Sequence, residues 1–358
     1  MKFILVKKTI VFISYIFLYF FFVVIQPACS KSSSQAIATK KDTIVKVSRF
    51  NINQSLVTKT PTKEADALYQ FLRNNYGKKI ISGVMTLNSF DEVNWLKTNT
   101  GKEPVIIGLD LMHCFRDYNW YHNAQPIEDA KAYWDRSGIP VFCWHWRDPS
   151  RKTEEFYSNK TNFDVSKIND PASDEYKAMI ADIDSVSKLL KVLQTQKVAV
   201  IWRPLHEAAG GWFWWGAKGA APCKKLYQVM YDRMVNYHGL RNLIWVWTKE
   251  PNDNIWYPGD EYVDIVGRDI YKQGDHGSQL GEFNIMNNLY SSKKIITLSE
   301  CGSFPDPEAL VKDGAAWSWF MPWYGDFVRK TENNSLDLWK RTMNSSYVIT
   351  LDEMPSLK

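Results

Sequence analysis

Six histidines are scattered through 358 residues, and neither a His-Glu-x-x-His nor a Cys-x-x-Cys pair occurs. A zincin-type metal site and a zinc ribbon are therefore not expected. No Gly-x-Ser-x-Gly is present, so a serine-hydrolase elbow has no support, and no glycine-rich phosphate loop appears either. Charge of one sign is also lacking. The formal net charge is +5, but Lys2, Lys7 and Lys8 fall in a leader without acids, and beyond residue 28 there are 41 basic against 39 acidic residues. A polyanion-binding surface is not required, and no nucleic-acid partner is expected. Aromatic residues, by contrast, are abundant: 16 Trp, 18 Tyr and 18 Phe. Flat apolar faces carrying a polar handle suit stacking on sugars as well as packing, and the balanced charge favours sugars over bases.

The basic start precedes a 16-residue apolar run, Ile10 to Ile25, of the length of a signal-peptide core. It ends in Gln26-Pro27-Ala28-Cys29 and a serine-rich stretch. A cysteine after a small residue at this place is similar to a bacterial lipobox. The expectation is a signal peptide over 1–28 and a lipidated Cys29, holding an exported protein on the periplasmic or outer face of a bacterial membrane. Residues 29–60 read as a lipidated start and tether. Four further cysteines, Cys114, Cys143, Cys223 and Cys301, permit three pairings between which the sequence does not choose; buried thiols are the simplest reading.

From Pro61 the pattern is regular. Helical periodicity occupies 62–76, 89–99, 126–138, 173–193, 222–238 and 279–292. Between and after these lie eight short apolar runs: Lys79–Met85, Pro104–Leu111, Pro140–Trp146, Val198–Leu205, Leu243–Thr248, Val263–Tyr271, Lys294–Ser299 and Ala315–Pro322. Runs such as Val198-Ala199-Val200-Ile201 are apolar without alternation, as strands buried on both faces are. Eight strand–helix units over 298 residues predict one α/β domain, a (β/α)8 TIM barrel over 61–358.

In such a barrel the chemistry sits past the strand C-termini. Polar and aromatic residues gather there: Asp110 and His113 where the second run ends, Trp144-His145-Trp146 where the third ends, Arg203-Pro204-Leu205-His206-Glu207 at the end of the fourth, Arg268-Asp269-Ile270-Tyr271 at the end of the sixth, and Ser299-Glu300-Cys301-Gly302 at the end of the seventh. Glu207 and Glu300 are the catalytic candidates. Glycoside cleavage needs one carboxyl to protonate the leaving oxygen and a second to attack the anomeric carbon or activate water. Pairing with Arg203 or Arg268 would instead give either glutamate a structural use.

Arg203 to Glu207, continued through Trp212-Phe213-Trp214-Trp215-Gly216, closely resembles the acid/base segment of glycoside hydrolase family 26, mainly β-mannanases on a (β/α)8 barrel. Ser299-Glu300-Cys301-Gly302 is similar to the family's nucleophile segment, and Trp144-His145-Trp146 to its substrate-binding third strand. The chain departs at Ala208-Ala209, commonly Met-Asn, and at Cys301, usually Thr. The resemblance implies a retaining double displacement on β-1,4-mannosidic bonds, with Glu300 as nucleophile and Glu207 as acid and then base. It implies support of Glu300 by Tyr271, with Asp269 beside it, and sugar-stacking roles for Trp212 and Trp323. His145 is expected on a sugar hydroxyl, and His206 on the nucleophile or a sugar hydroxyl. Trp317 and Trp319 compete with Trp323, while Phe213, Trp214 and Trp215 are expected to pack. Arg203 and Arg268 are expected to orient carboxylates. No cofactor or metal is expected, and the enzyme is read as a monomer acting on a β-mannan polysaccharide or oligosaccharide, internally or from a chain end. A same-family β-1,4-xylanase or β-glucanase, or an inactive glycan-binding lipoprotein, remain the alternatives.

Overall fold

A computed structural model describes residues 50–358, apart from residues 117, 252 and 292. The leader, Cys29 and most of the tether lie outside the described residues. Eight parallel strands follow the eight apolar runs: β1 Ile80–Met85, β2 Ile106–Asp110, β3 Ile139–Cys143, β4 Val200–Arg203, β5 Leu243–Lys249, β6 Ile265–Ile270, β7 Ile295–Cys301 and β8 Trp319–Phe320. Each strand pairs in parallel with the next from β1 to β7, and β8 pairs with β1. The ring closes between β7 and β8 through Ser318 N–H donating to Ile296 O and a bridge from Cys301 to Pro322. Nearly every strand residue is buried, because one face lines the barrel and the other meets the helices. The expected (β/α)8 barrel is thus what forms.

The helices also lie close to their expected places: α1 Lys63–Asn75, α2 Asp91–Thr100, α3 Gln125–Asp135, α4 Asp174–Thr195, α5 Ala220–Tyr231 and α6 Leu280–Tyr290. Side-chain caps set two of their starts. Thr62 accepts from Ala65 N–H, and Ser173 from Tyr176 N–H. The run read as one helix to 238 changes at Asp232 into a π-helical stretch ending at Tyr237. Three short helices had no periodic signal long enough to read: α7 Pro307–Asp313, α8 Asp326–Arg329 and α9 Leu336–Met343. A ninth strand, β9 Val348–Ile349, was also unexpected; it pairs with the start of β1, and Ser82 donates to Ile349 O at 2.7 Å.

The stretch from Phe50 to Thr60, read as tether, is packed on the barrel. Ile52, Leu56 and Thr58 are buried. Val57 N–H donates to Asp264 Oδ1 at 2.7 Å, and Tyr231 donates to Val57 O at 2.8 Å. Asp264 immediately precedes β6 and so marks the N-terminal end of the barrel, away from the strand C-termini. Burial holds its carboxyl up at about 7, although two backbone N–H groups work against the shift. The four described cysteines are free and buried.

Candidate active site

Glu300 is the penultimate residue of β7 rather than the first beyond it, and the whole strand is buried. A carboxylate there needs partners, since burial penalises its charge. Arg203, fully buried at the end of β4, supplies them: one guanidinium nitrogen donates to Glu300 Oε2 and another to Asp269 Oδ2 at 2.8 Å. A shift in register between Arg268 and Asp269 brings Asp269 opposite Glu300. Ser299 donates to the other oxygen of Asp269 at 2.6 Å. Gly267 leaves room for that hydroxyl, because a Cβ there would come within 2.3 Å of it. Tyr271 donates to Glu300 Oε1 at 2.5 Å. Its hydroxyl is held well above its ordinary range by burial and by the charge of Glu300, so it remains a donor.

Glu207 is placed differently. It lies four residues past β4, in a turn where both Leu205 and Glu207 have left-handed backbones, φ 51° and 53°. Side chains other than Gly and Asn rarely adopt this conformation, which costs on the order of 1–3 kcal/mol per residue unless neighbours hold it. Here they do. Trp215 Nε1–H donates to His206 O at 2.9 Å, and Gly210 N–H donates to Glu207 O at 3.1 Å. Trp212, about half exposed, donates its indole N–H to Glu207 Oε2 at 3.0 Å. Its ring crosses Gly210 so closely that a Cβ would lie 2.1 Å from ring carbons. The glycine in Ala208-Ala209-Gly210-Gly211 therefore lets the indole reach the acid.

Glu207, Asp269 and Glu300 each bring a carboxylate oxygen within 4.8 Å of the others. One guanidinium serves the last two. No ion pair is recorded for Glu207 among the described residues, and burial, then the charges of Asp269, Glu300 and Glu250, raise it to about 8. Burial also raises Glu300, but Arg203 and Tyr271 oppose the shift. Arg203 and Tyr271 thus favour the ionised form of Glu300, whereas Glu207 has no such support among the described residues, the inequality that an acid and its carboxylate partner require. The close spacing suits direct attack, since carboxyls about 6.5–9.5 Å apart are needed to seat a water between them. Three acids could in principle hold a cation, but Asp269 and Glu300 are already committed to Arg203.

The cleft above the pair has a volume of about 590 Å3 and includes His145, Trp212, Asp269, Tyr271 and Trp323 in its walls. Trp317 and Trp319 are completely buried in the core, so of the three competing tryptophans Trp323 is the one lining the cleft. Trp214 and Trp215 are packed, as expected, whereas Phe213 is packed and also reaches the wall. His206 does not meet Glu300. Its Nε2 meets Nε2 of His145 at 3.3 Å, and its Nδ1 is buried without a partner. Burial and the charges of Arg203 and His145 favour its neutral form, and the donors to Glu300 are Arg203 and Tyr271 instead. Behind His145 stands Asp110, which accepts from its Nδ1 at 2.6 Å and its backbone N–H at 3.0 Å. Burial opposes the charge of Asp110, yet His145 and these bonds hold its carboxyl below the usual range. Arg268 binds carboxylates other than the central pair, Glu250 at 3.1 Å and Glu282 at 3.3 Å. Glu250, raised to about 7 chiefly by burial, lines the cleft and was not singled out from sequence, although it too follows an apolar strand.

Residues 57–353 match the model of glycosyl hydrolase family 26. A mannan endo-1,4-beta-mannosidase of Thermothelomyces thermophilus is 41% identical over 85% of this chain and 64% of its own length. The mannan endo-1,4-beta-mannosidase A of Piromyces sp is 36% identical over 85% and 51%. The chain thus spans between about half and two thirds of the length of these curated relatives. Among solved structures, the beta-mannanase from a symbiotic protist of the termite Reticulitermes speratus, complexed with gluco-manno-oligosaccharide, aligns with a TM-score of 0.81 at 44% identity, covering 86% of this chain and 99% of that one. The Podospora anserina GH26-CBM35 beta-(1,4)-mannanase aligns at 0.80 and 38%, covering 86% and 70%. With its barrel, its carboxyl pair and these relatives in agreement, the chain belongs to glycosyl hydrolase family 26.

Proposed function

We propose that the protein hydrolyses β-1,4-mannosidic bonds in mannan, glucomannan or galactomannan with net retention. The observation that carries this reading is the asymmetric carboxyl pair, with Glu300 held by Arg203 and Tyr271 while Glu207 meets only the indole N–H of Trp212. The names of the relatives, mannan endo-1,4-beta-mannosidases, support mannan as the substrate. In the first step Glu300 attacks the anomeric carbon while Glu207 gives its proton to the departing oxygen. In the second, Glu207 takes a proton from water, which displaces Glu300. Trp212 keeps Glu207 oriented through both steps, and His145, Trp212 and Trp323 hold sugar in the cleft.

The test uses azide. Glu207→Ala should retain attack on an activated aryl β-mannobioside, which needs little protonation, but should break down the glycosyl-enzyme slowly. Azide needs no general base, so it should restore turnover and give a β-glycosyl azide. On mannan the loss should be about 10²–10⁴-fold, the usual worth of general acid–base help. Glu300→Ala should be inactive on every substrate. A β-azide from Glu300→Ala, or an α-azide from Glu207→Ala, would reverse the two roles, and cleavage of xylan or mixed-linkage glucan alone would displace mannan.

The same proposal includes attachment to a bacterial membrane through lipid on Cys29, supported by the apolar run Ile10 to Ile25 ending in Ala28-Cys29. Cys29→Ala should release activity from the membrane fraction without lowering the specific activity of the isolated catalytic domain. Wild-type protein beginning at another residue and free in solution would rule the anchor out. Action as a monomer belongs to the proposal too, and sedimentation would check it.

A further inference from the structure

Three arginines line a small hollow of about 10 Å3, beside β3 and apart from the carboxyl pair. Arg116 comes from the connection between β2 and α3, and Arg147 and Arg151 come from the connection between β3 and α4. The space suits one water or one monatomic ion. Trp144 and Trp146, both buried, form its apolar wall. Among the described residues one carboxylate lines it, Asp182, and that group is already engaged. Arg151 donates to both of its oxygens, to Oδ2 at 2.9 Å, and Trp146 Nε1–H donates to Oδ2 at 2.7 Å. Arg147 is engaged as well, through Nε to Met112 O at 2.9 Å and through Nη1 to Glu154 O.

Arg116 is not fully engaged. Its side chain is 3% exposed, and its Nη2 donates to Asp148 O at 2.9 Å. Its Nη1 is buried without a hydrogen-bond partner among the described residues. Glu154 Oε1 stands 3.9 Å from that nitrogen, too far to accept, and the Glu154 side chain is more than half exposed. Asp148 turns its two oxygens to Ser150 and Thr161. A buried charged donor without an acceptor is costly. Burial, then the charge of Arg151, pushes the Arg116 guanidinium down, against the pull of Glu154 and Asp182. A water would accept from Arg116 but would bring no charge to face three guanidinium groups. An anion does both, and the apolar walls strengthen its attraction. We infer that the hollow binds one monatomic anion, chloride in ordinary media, which accepts from Arg116 and ties the β2–α3 connection to the β3–α4 connection. The hollow is too small for sulfate, phosphate or a carboxylate. The effect reaches the cleft, because these two connections carry Met112, His145, Phe156 and Tyr157 to its walls.

The test starts with wild-type protein freed of halide in sodium gluconate, then titrated with chloride or bromide at constant ionic strength. The melting temperature should rise along a saturating curve, by about 3 °C or more at a hundredfold excess over the half-saturating concentration. Over the same range kcat/KM on mannan should rise about fivefold, the low end of coupling between two sites. Sulfate stabilises proteins by exclusion from their surfaces, so it should raise the melting temperature without saturation and leave kcat/KM unchanged. Arg116→Gln should lose the halide-dependent part of both curves. Wild-type crystals grown in bromide should show an anomalous-scattering peak within hydrogen-bonding distance of Arg116 Nη1, a readout that holds even if Arg116→Gln fails to fold. A water in place of that peak would overturn the inference, as would a halide response that Arg116→Gln keeps. A peak with no saturating response in melting or activity would mean an adventitious ion only, and would overturn it equally. The crystal and melting readouts need no substrate, so their failure is distinct from failure of the mannan reading.

Discussion

Replacing Tyr271 with Phe removes one hydroxyl and leaves the ring, which packs near Gly302 and Phe327. The lost bond, 2.5 Å to Glu300 Oε1, is one of two contacts that favour the ionised form of this proposed nucleophile, Arg203 on Oε2 being the other. Hydrogen bonds to charged groups are worth about 1.5–3 kcal/mol, so kcat/KM at a pH below the acid limb, where Glu300 must first lose its proton, should fall about 10- to 150-fold. The same loss predicts a pH effect of fixed sign. The hydroxyl donates to the charged form of Glu300, so its removal disfavours the carboxylate and raises that pKa further. At 1.36 kcal/mol per unit, the acid limb of the kcat/KM profile should move about 1–2 units to higher pH. The assay is kcat/KM on mannan across pH for both proteins, with thermal unfolding as a control on the fold. A Tyr271→Phe enzyme with wild-type efficiency and an unmoved acid limb would refute the reasoning, as would a limb displaced to lower pH.

In the proposed mechanism Glu207 carries its proton in the first step, and it is raised to about 8, so kcat/KM on mannan should fall as pH rises through about 8; Glu207→Gln should abolish that limb on an activated aryl substrate. Asp110→Asn should lower kcat/KM at least tenfold, because an amide cannot accept all the hydrogen bonds that the carboxylate takes from His145 and Met112; nitrogen NMR should show the proton of His145 no longer held on Nδ1. Asp264→Ala should leave Val57 and buried Trp245 with N–H groups lacking acceptors, at about 1–3 kcal/mol each, and so lower the melting temperature by about 5 °C or more while activity at 25 °C stays at the wild-type level.

The sequence by itself determined the barrel and singled out the two glutamates. Burial of a parallel strand on both faces is written locally, as in Val198 to Ile201, and each such run needs only its own composition to declare itself. A carboxyl directly after such a run is equally visible, and Glu207 and Glu300 were found that way. Tertiary structure decided the rest, because it depended on which distant residues the closed ring brings together. Arg203 could have served either glutamate; it serves Glu300 and Asp269 because the end of β4 faces the ends of β6 and β7 across the barrel. His206 turned to His145 rather than to the nucleophile because the left-handed residues on either side of it, Leu205 and Glu207, redirect the chain, and neither residue type announces that conformation. Trp317, Trp319 and Trp323 are chemically alike and within seven positions of one another; only the place of β8 in the ring put the first two in the core and the third in the cleft.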